Sequence, residues 1–443
     1  MSQKAHAAPT KEFFVYMVTR DITLEDCILD LLDNCLDGSR KDLKKKQIAV
    51  QNGTQYKGYS ASIRLNAKSF VIEDNCGGIS LDDAVNYAFH FGRRPDAPPE
   101  GDFAIGLYGI GMKRAIFKLG KKCNVRSSTK EEAFLVKIDV AEWLSRPSDW
   151  DFDLESIDRE KTPGTRLEVG ELNEGIPGAF VETVFQNQLR KIISRDYSFF
   201  LQKGFAVSLN GTSVAPYAFT FRHSDAFEPV RYSYVDETGV EVEITAGMAG
   251  LPPEDTSPES TEISEAEYYG WFVACNDRIV LAGDKSTSTV WGDEFPAWHF
   301  QYNGFMGIAN FRSSDPRLLP WTTTKREVDL QSPVYLRAIT HMKKATRSYI
   351  DYTNARKNDL EAAKALELAA VATPIRDLPK REDVLMPQFV SKPRVEIANI
   401  SYAVPKERAL KVADALGNRF MTYKRIGHET FEYYFENEVG ESK

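Results

Sequence analysis

The residues best suited to do chemistry are Asp26, Asp30, Asp33, Asn34 and Asp37, spread along ILDLLDNCLDGS and the turn before it. At about 100° per residue they share one stripe of a helix, while Ile28, Leu31, Leu32, Cys35 and Leu36 fall on the other side. Carboxylates three and four apart repel one another. A divalent cation or an activated water would give such a row a purpose; a solvated acidic face is the plainer alternative. Thr23 is placed to cap this helix, with Asp26 three residues on, and Gly38 is placed to stop it.

Three later stretches carry matching chemistry. VIEDNCGGI at 71–79 is a short hydrophobic strand ending in Asp74, Cys76, Gly77 and Gly78, and strand ends are where open sheets bind ligands. IGLYGIGMK at 105–113 sets Gly106, Gly109 and Gly111 ahead of Lys113. Glycines so spaced aim backbone amides at an anion, and a helix from about Met112 adds its positive end. The pattern is neither the phosphate loop ending in Gly-Lys-Ser/Thr nor a dinucleotide fingerprint. PGTRL at 163–167 supplies Gly164 and Thr165.

In their order, these four stretches resemble the GHKL ATPase superfamily, which includes gyrase B, MutL, HtpG-type chaperones, MORC proteins and histidine kinases. The resemblance covers roughly 20–175 and continues more weakly to about 345, closest to the MORC-like or HtpG-like members that carry a transducer domain. It implies ATP and Mg2+ as ligands, with Asp30 as the base, Asn34 on magnesium, Asp37 nearby and Asp74 accepting from the adenine amino group. Gly78, Gly106, Gly109 and Gly111 would wrap the nucleotide, and Thr165 would support the adenine end; Lys113, from its place after the glycines, is a candidate phosphate or structural contact. LLPWTTTKREVDLQSPVY at 318–335 resembles the second-domain loop whose lysine reaches the γ-phosphate, which points to Lys325 with Arg326 in reserve. Asp30 stands where hydrolysing members usually have Glu, so Asp33 or Asp26 is a possible helper. Cys76 stands where a glycine is usual.

Composition sets the frame. A chain of 443 residues, 42% hydrophobic and 27% charged, describes a folded protein of two or three domains. Its net charge of −8 argues against a protein that coats nucleic acid, though a local basic patch such as RKDLKKK at 40–46, or Lys118, Lys121, Lys122 and Arg126, remains compatible with contacts to DNA. The five cysteines form no CxxC pair. No apolar run is long enough to span a membrane, and the expected location is cytoplasmic.

The expected fold class is α/β: a Bergerat-type α/β sandwich at 1–175, a transducer-like α/β domain at 176–350, a connector at 351–393 and a small β-α-β-β module at 394–443. FFVYMV at 13–18 reads as an edge strand or, from the resemblance, as an arm that crosses to a second subunit. IAVQNG, SASIRLNA and FVIED read as strands, 80–91 as a helix, and 90–106 as a lid hinged at Gly92 and Gly101, with Arg93 and Arg94 towards phosphate. NDRIV at 276–280 reads as a hairpin turn into an edge strand.

The leading functional reading is a magnesium-dependent ATPase that gates dimerisation or domain closure as a homodimer, with a DNA or protein client. The alternatives are a non-hydrolysing ATP-gated scaffold and a nucleic-acid clamp in repair or defence.

Overall fold

The computed structural model describes residues 9–47, 53–92, 94, 103–107, 109–253, 267–292, 294–389 and 398–440. They form two compact units, 1–390 and 391–443. Residues 48–52 of the expected strand IAVQNG and the greater part of the lid, Arg93 and Gly101 included, lie outside the described residues.

The first unit opens with α1 (Lys11–Arg20) and α2 (Leu24–Lys45). FFVYMV is therefore helical, not a strand. Lys11 explains the difference, because it is 2% exposed with its ammonium 3.9 Å from the Trp143 ring centre and 2.6 Å from the Trp143 carbonyl, an anchorage no short-range pattern reveals. Thr23 caps α2 as expected, accepting from the Asp26 amide. Gly38 does not stop it. The helix runs seven residues further, and a Cβ at Gly38 would stand 3.1 Å from the Cys76 carbonyl oxygen, so the glycine serves close packing of the Asp74–Gly78 turn.

Strands β1 (Ser60–Leu65) and β2 (Ser69–Asp74) form an antiparallel pair. The short α3 (Leu81–Asp83), capped by Ser80, continues as one wider turn over Ala84–Ala88. After α4 (Gly111–Leu119) come β3 (Gly120–Ser128), β4 (Ala133–Asp139), α5 (Val140–Ser145), β5 (Leu154–Ser156) and β6 (Gly164–Leu172). Helices α6 (Ile176–Val181), α7 (Thr183–Asp196) and α8 (Ser198–Gln202) follow. Strands β7 (Ala206–Leu209) and β8 (Thr212–Ser213) then complete an eight-stranded sheet of order β5-β4-β3-β6-β2-β1-β7-β8, antiparallel except where β1 meets β7. Ile28, Leu32 and Leu36 of α2 share a core with Ile63, Phe70, Val125 and Leu167 of the sheet, while Arg64 and Asn124 point outward. This alternation is that of a sheet covered by helices on one face.

Beyond it, β9 (Thr220–His223) precedes a five-stranded sheet of order β10-β11-β14-β12-β13, built from β10 (Val230–Val235), β11 (Glu241–Met248), β12 (Gly270–Cys275), β13 (Arg278–Asp284) and β14 (Phe305–Arg312). The hairpin at 276–280 is present: Asn276 and Asp277 have φ of 49° and 68°, the paired left-handed residues of a two-residue turn, and β13 is an edge strand. Helix α9 (Pro333–Ala355) packs on this sheet, and α10 (Leu360–Ala369) and β15 (Val371–Pro374), paired with β9, close the unit.

In the second unit the described residues form α11 (Lys406–Ala415) and α12 (Tyr423–Tyr434). The last two strands of the expected β-α-β-β module are not formed: residues 423–434 make α12 instead. Thr422 caps it and Ile426 is its buried residue, so an aromatic-rich stretch with strand-like composition winds into a helix against α11.

Candidate functional site

The first sheet and α2, α4 and the 318–335 loop enclose a cavity of about 720 Å³. Its lining includes Asp30, Asn34, Asp37, Asp74, Gly78, Gly106, Gly109, Gly111, Lys113, Thr165 and Lys325. Asp26 and Asp33 are absent from it, although they belong to the same helical stripe.

Each wall has a local cause. Asp74 ends β2, and its Oδ1 accepts from the Cys76 amide at 2.7 Å and the Thr165 amide at 3.3 Å, tying the turn to the start of β6. Burial lifts the Asp74 carboxyl to about 6, against the pull of those hydrogen bonds. Gly78 has φ of 72°, and a Cβ there would stand 2.1 Å from the Ser128 carbonyl oxygen. The usual glycine position held by Cys76 needs no glycine here, because the left-handed residues of the turn are Gly77 and Gly78. Asp37 accepts from the amides of Ile105 and Gly106 at 2.9 and 2.6 Å, which fastens the glycine segment to α2. Asn34 projects its side chain into the open cavity.

Lys113 is 4% exposed and donates to the Ala88 carbonyl at 3.0 Å, with no carboxylate partner among the described residues; burial lowers its pKa to about 7. Lys325 is 6% exposed and sits in left-handed backbone with φ of 56°. Its ammonium is 2.7 Å from Asp33 Oδ2 and 3.8 Å from Asp30 Oδ1. Burial works against the Lys325 charge, but Asp33, Asp30 and Asp37 outweigh it and raise the pKa.

Three functional partners escaped the sequence reading. Arg114 holds Asp30, with Nε and a terminal nitrogen both 2.5 Å from Oδ2. Arg278 lies 3.3 Å from Asp33 and 3.1 Å from Asp196. Tyr197 donates to Asp33 at 2.7 Å. Burial would push the Asp33 carboxyl up, but Lys325, Arg278 and Tyr197 together hold it below the usual range. Arg326, the reserve candidate, pairs with Asp26 and with Asp196 at 3.0 Å, so it braces the loop outside the cavity. A buried pairing between residues 84 or more positions apart leaves no local signal. The one trace is Arg114 itself, three residues after Gly111.

The basic residues offered for DNA contact are mostly engaged. Arg40 is buried and donates to the Tyr56 hydroxyl and the Asn276 carbonyl, Lys118 donates to the Thr19 carbonyl, and Lys122 and Arg126 pair with Glu171 and Glu160. Among the described residues no cluster of three His, Cys, Asp or Glu side chains could hold a metal, and no helix is long and apolar enough to cross a membrane.

A helix-covered sheet whose glycine turns, buried Asp and helix-borne Asn line one cavity defines the class of nucleotide-binding α/β sandwiches. Residues 22–162 match the family described as histidine kinase-, DNA gyrase B-, and HSP90-like ATPase. That stretch is a GHKL-type ATPase domain, the kind that binds ATP. It matches no curated protein.

Proposed function

We propose that the protein is a magnesium-dependent ATPase that uses ATP to change the relation of its first sheet to the region bearing Lys325, and to a second copy of itself. The observation that carries this reading is the meeting of Asp30 and Lys325, from opposite sides, 3.8 Å apart in one cavity. A cavity of about 720 Å³ is of the size that takes a nucleotide. Asp74 offers its carboxylate to the adenine amino group, Thr165 backs that end, and the amides of the Gly106–Gly111 segment and Lys113 face the phosphates. Asn34 is the residue that would hold magnesium, and the metal would supply positive charge against the phosphate chain. Water attacks the terminal phosphorus, the bond from that phosphorus to the bridging oxygen breaks with its electron pair going to ADP, and Asp30 takes the water's proton. Lys325 stabilises charge on the transferred group.

A second reading is an ATP-gated scaffold without turnover. It is favoured by the shorter carboxylate of Asp30 and by the engagement of its Oδ2 with Arg114. DNA or protein clients are compatible with either reading; the engagement of Arg40, Lys118, Lys122 and Arg126 within the fold favours a protein client.

The test is ATP binding and turnover with magnesium, for wild type and for Asp30→Ala, Asn34→Ala and Lys325→Ala. The ATPase reading expects Asp30→Ala to abolish turnover and keep affinity, and Asn34→Ala to remove the magnesium-dependent part of binding. Tight binding with wild-type turnover no higher than that of Asp30→Ala selects the scaffold. Absence of binding overturns both.

A further inference from the structure

Arg114 and Gly111 are three residues apart on α4, so they share a side of that helix. Both meet Asp30. The Arg114 guanidinium places two nitrogens 2.5 Å from Asp30 Oδ2, and the two side chains are only 7% and 6% exposed. A Cβ on Gly111 would stand 3.3 Å from Asp30 Cβ and Cγ, so the backbone of the first turn of α4 abuts the same carboxylate. The first turn of α4 continues the glycine segment that lines the cavity. Among the described residues, Oδ1 of Asp30 accepts no hydrogen bond; Lys325 stands 3.8 Å from it and is itself held by Asp33 at 2.7 Å.

The charges are thus sorted, Arg114 to Asp30 and Lys325 to Asp33. The sorting matters because a carboxylate that is to take a proton from water needs one oxygen free and the plane of the group fixed. A planar guanidinium meeting Oδ2 through two nitrogens restricts that plane, which an ammonium acting as a point charge does less well. Without Arg114, a buried Asp30 would have Lys325 as its nearest cation. Closing the 3.8 Å gap would cover Oδ1 and draw Lys325 from the position from which it serves the terminal phosphate.

We infer that Arg114 is a positioning residue for the reaction: it clamps Asp30 to the phosphate-facing helix, leaves Oδ1 to the attacking water, and keeps Lys325 from pairing with the base. This rests on the reading of the cavity as an ATP site. Nucleotide binding and base orientation are coupled through one helix turn, since a shift of the glycine segment moves Gly111 and Arg114, and with them the Asp30 carboxylate.

The test uses the full chain and compares Arg114→Gln, Arg114→Lys, Asp30→Asn and the double variant Arg114→Gln/Asp30→Asn. ATP dissociation constants are measured directly and kcat by phosphate release. Arg114→Gln is expected to keep the dissociation constant within about threefold while kcat falls at least about tenfold, Arg114→Lys to recover part of the loss, and the double variant to be no slower than Asp30→Asn. A loss that appears in the dissociation constant with kcat unchanged overturns the proposal, as does additive loss in the double variant. Should Arg114→Gln not fold, Arg114→Lys carries the test, since a weakened clamp must lower kcat at unchanged affinity. Failure of wild type to bind ATP sinks the reading of the cavity itself, whereas binding with turnover no higher than Asp30→Asn leaves that site standing and overturns the role given to Arg114.

Discussion

If Lys113 meets phosphate as proposed, nucleotide binding is expected to take up a proton. The Lys113 ammonium is buried against the Ala88 carbonyl with no carboxylate beside it among the described residues, and burial brings its pKa down to about 7. At pH 8 only about a tenth of the protein then carries the charge, while a phosphate chain in the cavity favours the charged form. Binding at pH 8 must therefore take up about 0.9 proton and forfeit about 1.4 kcal/mol, a tenfold loss of affinity relative to the fully charged site. The sign follows from a lowered base pKa in the free protein: affinity is greatest below about 7 and weakens about tenfold per pH unit above it, until the pKa of the complex is reached. Calorimetric titration with a non-hydrolysable ATP analogue, in two buffers of different ionisation enthalpy, counts the protons. Lys113→Met removes the contribution and leaves the proton changes of the nucleotide and of other groups as background. Equal uptake by wild type and Lys113→Met at pH 8 would refute the reasoning, since it would mean that Lys113 does not change charge when phosphate arrives.

Burial raises the Asp74 carboxyl from an ordinary 3.8 to about 6, so the fold gains from the neutral form below 3.8 and loses that gain as pH rises through about 6. Asp74→Asn, permanently neutral, is expected at pH 7.5 to be more stable than wild type by about 3 kcal/mol in urea unfolding and to bind ATP at least tenfold more weakly; reduced stability would count against the assignment. Gly78→Ala forces a side chain into left-handed backbone 2.1 Å from a carbonyl oxygen, and is expected to lose about 2 kcal/mol or more, read as a lower urea midpoint, together with ATP binding. Asp196→Ala strips a shared partner from buried Arg278 and from Arg326, with an expected cost of about 3–5 kcal/mol in the same assay; a change below 1 kcal/mol would show that Asp33 and Asp26 suffice. Lys325→Met leaves Asp33 with Arg278 and Tyr197, so it is expected to fold and bind ATP but to turn it over at least tenfold more slowly, measured by phosphate release.

Sequence alone determined the features whose cause is local. The 3.6-residue period of α2 assigns Asp30, Asn34 and Asp37 to one stripe, a strand ending in Asp74 and two glycines can only turn, and glycines at 106, 109 and 111 ahead of a helix make an anion-facing segment. Because each follows from spacing or backbone freedom, all of these residues were legible before the cavity that joins them. The tertiary structure decided whatever depends on a distant partner. FFVYMV is helical because Lys11 finds a seat on Trp143, Gly38 lies within a helix because Cys76 packs on it, and the C-terminal aromatics wind into α12 through contact with α11. Above all it decided which carboxylates face the cavity. Asp30 and Asp33 stand three residues apart on one stripe, yet Arg114 and Lys325 divide them into a group lining the site and a group buried beside it. A charge taken from water must be paired where it lies, and the partner is chosen by the fold rather than by the neighbouring sequence.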